Sequence, residues 1–152
     1  MFQLKPYQEE TLQKLSVFLQ RSAASHDIEG SYAQCTKENF DKEGVYNNAG
    51  FPDTPYVCLR LPTGGGKTLL ASHTVPLVCK EYLAKDFALV LWLVPSNAIL
   101  EQTLKALQDR KHPYREVIDL AFDGNVSILT VEDALYLIPS TLRGNVAIIV
   151  ST

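Results

Sequence analysis

Three consecutive glycines followed by Lys-Thr, within Leu61-Pro62-Thr63-Gly64-Gly65-Gly66-Lys67-Thr68, lie between two apolar stretches, and this segment constrains the architecture more than any other. Glycines let backbone N–H groups converge on phosphate oxygens, a lysine next to them supplies mobile positive charge for the β and γ phosphates, and a hydroxyl after it can hold Mg²⁺. A helix beginning at that point also turns its positive end toward the anion. The pattern predicts a strand, a phosphate-binding turn and a helix in succession. The strict motif would have glycine where Leu61 stands. A glycine-rich turn without ligand is the plain alternative, and the Lys-Thr pair directly after the glycines argues against it.

The chain has 152 residues, 46% of them hydrophobic, enough for one domain with a substantial core and too few for two. Fourteen basic and 17 acidic residues give a net charge of −3, so no global positive field draws in nucleic acid or an anionic membrane. Any nucleic-acid contact has to be local. Cys35, Cys58 and Cys79 are an odd, widely spaced set without a CxxC pair, which argues against a zinc site or a disulfide framework. No apolar run reaches the ~20 residues a spanning helix needs, and Lys5, Glu9 and Glu10 do not fit a signal peptide. A soluble, cytoplasmic protein is expected.

Leu4, Leu12, Leu15, Val17, Phe18 and Leu19 are spaced nearer 3.6 than 2, with Pro6 at a tolerated helix start, and predict an amphipathic helix at about 6–21. Residues 22–55 are rich in Ser, Ala, Asp, Gly and Asn and read as a mostly looped insertion, with Tyr32, Phe40, Tyr46 and Phe51 favouring packing onto the domain. Tyr56–Leu61 reads as a short buried strand feeding the glycine turn. A helix from about Gly66 to Leu83 follows, with Pro76 expected to kink or divide it. His73 within it reads as a packed or surface residue.

Phe87–Val94 is the most apolar run and reads as a central strand buried on both faces. Ser96 or Asn97 is placed to cap the next helix, which carries Ile99, Leu100, Thr103, Leu104 and Leu107. Its free N–H groups could hold a phosphate, and here that phosphate would belong to a nucleic-acid backbone. Arg110 to Arg115 reads as a basic, solvated loop, and it is the other local candidate for phosphate contact. Val126–Thr130 and Val146–Val150 read as further strands, with a short helix or turn at 132–138. Strands alternating with helices predict a parallel α/β sheet whose ligands bind at the carboxyl ends of the strands.

Hydrolysis of a nucleotide also needs an acidic pair after an apolar strand. Glu132-Asp133 is the one nearby pair, in the wrong order and after a strand interrupted by Ser127 and Thr130.

The variant Pro-Thr-Gly-Gly-Gly-Lys-Thr at 62–68, then Leu-Trp-Leu-Val-Pro-Ser-Asn-Ala-Ile-Leu-Glu-Gln-Thr at 91–103, then His-Pro-Tyr-Arg at 112–115, resembles superfamily-2 DEAD/DEAH-box helicases. Within that group it looks closest to the ATP-dependent (Res) subunit of type III restriction enzymes. The resemblance covers Leu4 to Thr152 apart from the 22–55 insertion. It implies an α/β fold, an incomplete RecA-like P-loop NTPase domain with a parallel sheet flanked by helices, forming the N-terminal part of the first motor domain. It further implies ATP and Mg²⁺ as cofactors, double-stranded DNA as partner, and a possible methyltransferase (modification) subunit. The nucleotide site would comprise Gln8, Thr63, Gly64, Gly65, Gly66, Lys67 and Thr68, with Lys67 and Thr68 catalytic and Thr68 on Mg²⁺. Tyr7-Gln8 looks like the adenine-reading element of these helicases, and Ser96 and Asn97 match their nucleic-acid-contacting turn. By the same resemblance the acidic box lies beyond Ser151-Thr152, so the chain is expected to bind ATP and to hydrolyse it only with downstream motifs. Two other functions fit the loop: a nucleotide-binding module without turnover, and another P-loop NTPase such as a kinase.

Overall fold

The computed structural model describes residues 3–48 and 50–152. Its elements are α1 (Pro6–Ser25), α2 (Ile28–Phe40), α3 (Lys67–Val78) running into a π-helical turn (Cys79–Leu83), β1 (Ala88–Leu93), α4 (Asn97–Gln108), α5 (Pro113–Ala121), β2 (Val126–Leu129), α6 (Val131–Ala134), a 3₁₀ turn (Pro139–Leu142) and β3 (Val146–Ser151). The three strands form one parallel sheet in the order β1-β3-β2, with Val90 opposite Ile148 and Ile128 opposite Ile148. Parallel neighbours need crossover connections, and the intervening helices provide them.

Two apolar clusters divide the fold. The first joins Val75 of α3, Leu107 of α4 and Ile118 of α5 to Val126, Val146, Ile148 and Val150 of the sheet, with Val90 and Trp92 packed at its margin. Period-2 alternation sends these strand residues to one face, and the helices cover it. The second cluster lies between α1, α2 and the π-helical turn, where Leu15, Phe18, Leu19, Ile28 and Cys35 meet Val57, Leu59 and Tyr82.

Several sequence expectations change at this level. β1 is an edge strand, and its other face is open: Leu89, Leu91 and Leu93 are 56%, 62% and 64% exposed. An unbroken apolar run cannot show which of its faces is covered; the single helical layer over Val90 and Trp92 decides that. Tyr56–Leu61 is extended but joins no sheet, because its inward residues Val57 and Leu59 dock on the α1–α2 pair instead. The 22–55 stretch contains the end of α1 and all of α2, so it is not mainly loop up to residue 40. Asp27 caps α2 by accepting from the Gly30 N–H (2.8 Å). Beyond it the chain is irregular, and Tyr46 ties it together by accepting from the Tyr56 N–H (2.6 Å) and donating to the Thr54 carbonyl (3.2 Å). Of the four aromatics in the stretch, Tyr32 and Tyr46 pack on the second cluster, whereas Phe40 and Phe51 face outward.

Pro76 does not divide its helix. Helical structure continues from Lys67 to Leu83 and widens to π geometry at Cys79, after the point where proline has removed one backbone donor. Residues 113–115 belong to a helix, so the basic segment is a loop only as far as His112, which caps α5 through its Nδ1. Arg115 is a core residue: it donates from Nη1 to the Leu107 carbonyl (3.1 Å), from Nη2 to the Val126 carbonyl (2.9 Å) and from Nε to Asp119 (2.6 Å). That network removes it from the candidates for phosphate contact. Among the described residues no helix is long and apolar enough to cross a membrane, and the three cysteines are free thiols.

Candidate functional site

The glycine turn folds as a closed loop. The Gly65 N–H donates to the Pro62 carbonyl (3.0 Å), and the Gly66 carbonyl accepts from the Leu70 N–H (3.0 Å) at the start of α3. All three glycines are required by geometry, Gly64 through its left-handed φ of +74°. Gly66 is the N-cap of α3 at φ +78°, left-handed backbone in which other residues are strained. A Cβ at Gly65 would lie 2.9 Å from the Pro62 oxygen and 3.4 Å from the Leu61 Cβ. The Leu61 Cβ thus lies close beside Gly65.

The N–H groups of Gly66, Lys67, Thr68 and Leu69 have no acceptor among the described residues. They are the unpaired donors of the first turn of a 12-residue helix, and the helix dipole adds positive potential at the same end. The Lys67 side chain is exposed and bends back over the loop to donate to the Pro62 carbonyl (2.9 Å). Its charge thus sits at the mouth of the turn, held by one neutral acceptor that an anion could replace. Thr63 and Gly64 form the exposed tip, and Thr68 is half-buried on the first turn. The donors fit a polyphosphate. For Mg²⁺ the chain offers the Thr68 hydroxyl at this place, and among the described residues no group of three or more His, Cys, Asp or Glu could hold a metal.

The α1 start joins this site directly. Gln8 is 3% exposed, and its amide bridges two backbones: Oε1 accepts from the Lys5 N–H (2.9 Å) and Nε2 donates to the Gly65 carbonyl (2.9 Å). Tyr7 donates its hydroxyl to the same Gly65 carbonyl (3.1 Å). The resemblance pairs Tyr7 with Gln8, whereas their shared contact with the Gly65 carbonyl comes from the tertiary structure. No local signal in the sequence reveals a contact between α1 and residue 65.

Ser96 and Asn97 lie at the carboxyl end of the sheet. Val94 extends the β1–β3 pairing by donating to the Ser151 carbonyl (2.9 Å), after which Pro95 turns the chain into α4. Ser96 is the N-cap, its Oγ accepting from the Ile99 N–H (3.4 Å), and both side chains are exposed. No hydrogen bond or ion pair among the described residues links them to the glycine turn. Asp133 is engaged structurally: its carboxylate accepts from the Thr130 N–H (3.0 Å) and hydroxyl (2.9 Å), and those bonds hold its pKa below the usual carboxylate value. With Glu132 it tops α6 and faces solvent.

No curated protein and no solved structure shows a significant match to the chain. Residues 1–139 do match one protein family, described as type III restriction enzyme, res subunit. This span is most of the chain, and the parallel sheet flanked by helices agrees with the RecA-like P-loop domain of that family. The chain belongs to the type III restriction enzyme res-subunit family, which carries an ATP-using, helicase-like domain and acts on DNA.

Proposed function

We propose that this chain supplies the ATP-binding part of a DNA-dependent ATPase that translocates along or opens double-stranded DNA in a restriction-type system. The observation that carries the reading is the turn at 62–68, where four unpaired N–H groups and the Lys67 ammonium converge at the N-terminus of α3. In the proposal Thr63, Gly64, Gly65 and Gly66 wrap the phosphates. Lys67 leaves the Pro62 carbonyl for the β and γ phosphates, and the Thr68 hydroxyl joins the Mg²⁺ shell. Bound MgATP supplies the transferable phosphoryl group; the chain positions it and neutralises its charge. Gln8 completes the nucleotide site from the α1 side. Asp133 is committed to Thr130, so the proposal places the carboxylates that activate water outside residues 1–152. The isolated chain then binds ATP without turning it over. Ser96 and Asn97, exposed at the start of α4, contact a DNA phosphate, and a methyltransferase subunit is the proposed protein partner.

Calorimetric titration with MgATP tests the core of this reading. Binding by the chain, lost at least tenfold in Lys67→Ala, is expected, since a charge-assisted contact contributes about 1.5–3 kcal/mol. Equal affinity in Lys67→Ala would refute the phosphate site, and steady ATP turnover by the 152-residue chain would refute the placement of the carboxylates. A longer product of the gene should show ATPase activity stimulated by double-stranded DNA. Its DNA affinity should fall with salt in proportion to the phosphates contacted, and less steeply in a Ser96→Asp, Asn97→Asp variant.

A further inference from the structure

Helices α1 and α2 and the extended segment before the glycine turn enclose a cavity of about 410 Å³, within the ~300–1,000 Å³ range of small-molecule sites. All three segments contribute apolar lining: Leu15 and Phe18 from α1, Tyr32 and Cys35 from α2, Val57 and Leu59 from the extended chain. Tyr32 is held by ring contacts with Phe18 (centroids 6.0 Å apart, planes at 85°) and Tyr46 (5.3 Å). Phe40, at the end of α2, adds an aromatic face that is 68% exposed. The polar lining is turned inward on its own helices: Thr11, Thr36 and Asn39 donate to the carbonyls of Tyr7 (2.7 Å), Tyr32 (2.9 Å) and Cys35 (2.7 Å).

Two cations line the cavity, and only one is neutralised. Lys14 pairs with Glu10 one turn earlier on α1 (2.7 Å) and lies 5.2 Å from the centre of the Phe40 ring. Arg60 is exposed and makes no hydrogen bond or ion pair among the described residues. Among the described residues no Asp or Glu lines the cavity. One uncompensated guanidinium beside aromatic and aliphatic walls suits a molecule with an apolar body and a single negative charge. The guanidinium meets a carboxylate as a two-pronged donor, and the walls take the body out of water. A nucleotide or nucleic-acid strand would leave its further charges against apolar side chains.

We infer that the α1–α2 cavity is a binding site for an amphiphilic monocarboxylate, an acid whose aliphatic or aryl-alkyl body lies against Leu15, Phe18, Tyr32 and Leu59 and whose carboxylate meets Arg60. None of the lining residues belongs to the turn at 62–68, so the inference is independent of the nucleotide-site reading.

Calorimetric titration of the wild-type chain with hexanoate, octanoate and decanoate, each below its micelle-forming concentration, tests it. Affinity should rise with length by up to about fourfold per methylene. Decylamine, with the same chain and the opposite charge, should bind at least about tenfold more weakly than decanoate. Arg60→Gln should weaken decanoate by roughly three- to tenfold. Cys58 is exposed and lines the cavity, whereas Cys35 and Cys79 are buried. Its alkylation by iodoacetamide, followed by mass spectrometry, therefore locates the ligand, and decanoate should slow it. Leu91→Thr, on the open face of β1, should change neither readout. Equal affinity for decanoate and decylamine, or unchanged decanoate affinity in Arg60→Gln, would overturn the inference. Loss of binding in Leu91→Thr would also overturn it by moving the ligand to the open sheet face. Absence of decanoate binding by the wild type, or Cys58 alkylation unaffected by decanoate, would overturn it without any variant having to fold.

Discussion

Replacing Arg115 by methionine removes a guanidinium while keeping most of the apolar stem, and the cost follows from what is left behind. The side chain is 5% exposed and serves three acceptors. Leu107 lies in the last turn of α4, where the helix itself provides no further N–H for its carbonyl, so that oxygen loses its partner. The Val126 carbonyl on β2 loses the other Nη contact. Each buried acceptor left unsatisfied costs about 1–3 kcal/mol. Asp119 is 18% exposed and can take up water, so its share is small. The sum is about 2–6 kcal/mol, a large fraction of the ~5–15 kcal/mol that stabilises a domain. The assay is urea unfolding followed by the fluorescence of Trp92, the single tryptophan, which packs against the same core. At an m-value of about 2 kcal/mol/M the midpoint should fall by roughly 1–3 M. Arg115→Lys should recover less than half, because one ammonium cannot reproduce a fork that meets three acceptors. A loss below about 1 kcal/mol with unchanged slope would refute the reasoning, since that is how a solvated surface arginine behaves.

Three further outcomes are expected. His73 has a buried Nε2 without a partner among the described residues, and burial holds its pKa below the usual 6.5, so the folded state binds fewer protons than the unfolded one. Stability should be full above pH 6.5 and fall as pH drops below it; His73→Gln should flatten that slope in urea titrations at several pH values. Glu10, Glu38 and Glu43, held low by Lys14, Arg21 and Lys37, titrate below 4.5 and stay out of that window. Gly65→Ala should cost about 1–3 kcal/mol through the clash with the Pro62 oxygen and should weaken MgATP together with the loop, measured by melting and calorimetry on one preparation. Leu91→Thr on the open face of β1 should change the stability of the chain by no more than about 0.5 kcal/mol; a loss above 2 kcal/mol would mean that both faces of β1 are covered.

The amino-acid order by itself determined those features that rest on local chemistry. The turn at 62–68, the Ser96 cap and the strands at 88–93, 126–129 and 146–151 follow from steric and hydrogen-bonding preferences of neighbouring residues, and the structure places them there. Helix α1 began where Pro6 allows it and ran past the expected end to Ser25. Helix α2 was not legible, because Gly30, Ser31 and Asn39 weaken its propensity, and burial of Ile28 and Cys35 against α1 outweighs them. The tertiary structure alone decided which face of β1 is covered, that Tyr56–Leu61 docks on helices instead of a sheet, that Arg115 is internal, and that Tyr7 and Gln8 grip the Gly65 carbonyl. Each of these depends on what a distant segment presents at close range. Local preference places the glycine turn, whereas the donors that meet its Gly65 carbonyl come from α1, more than fifty residues away in the chain.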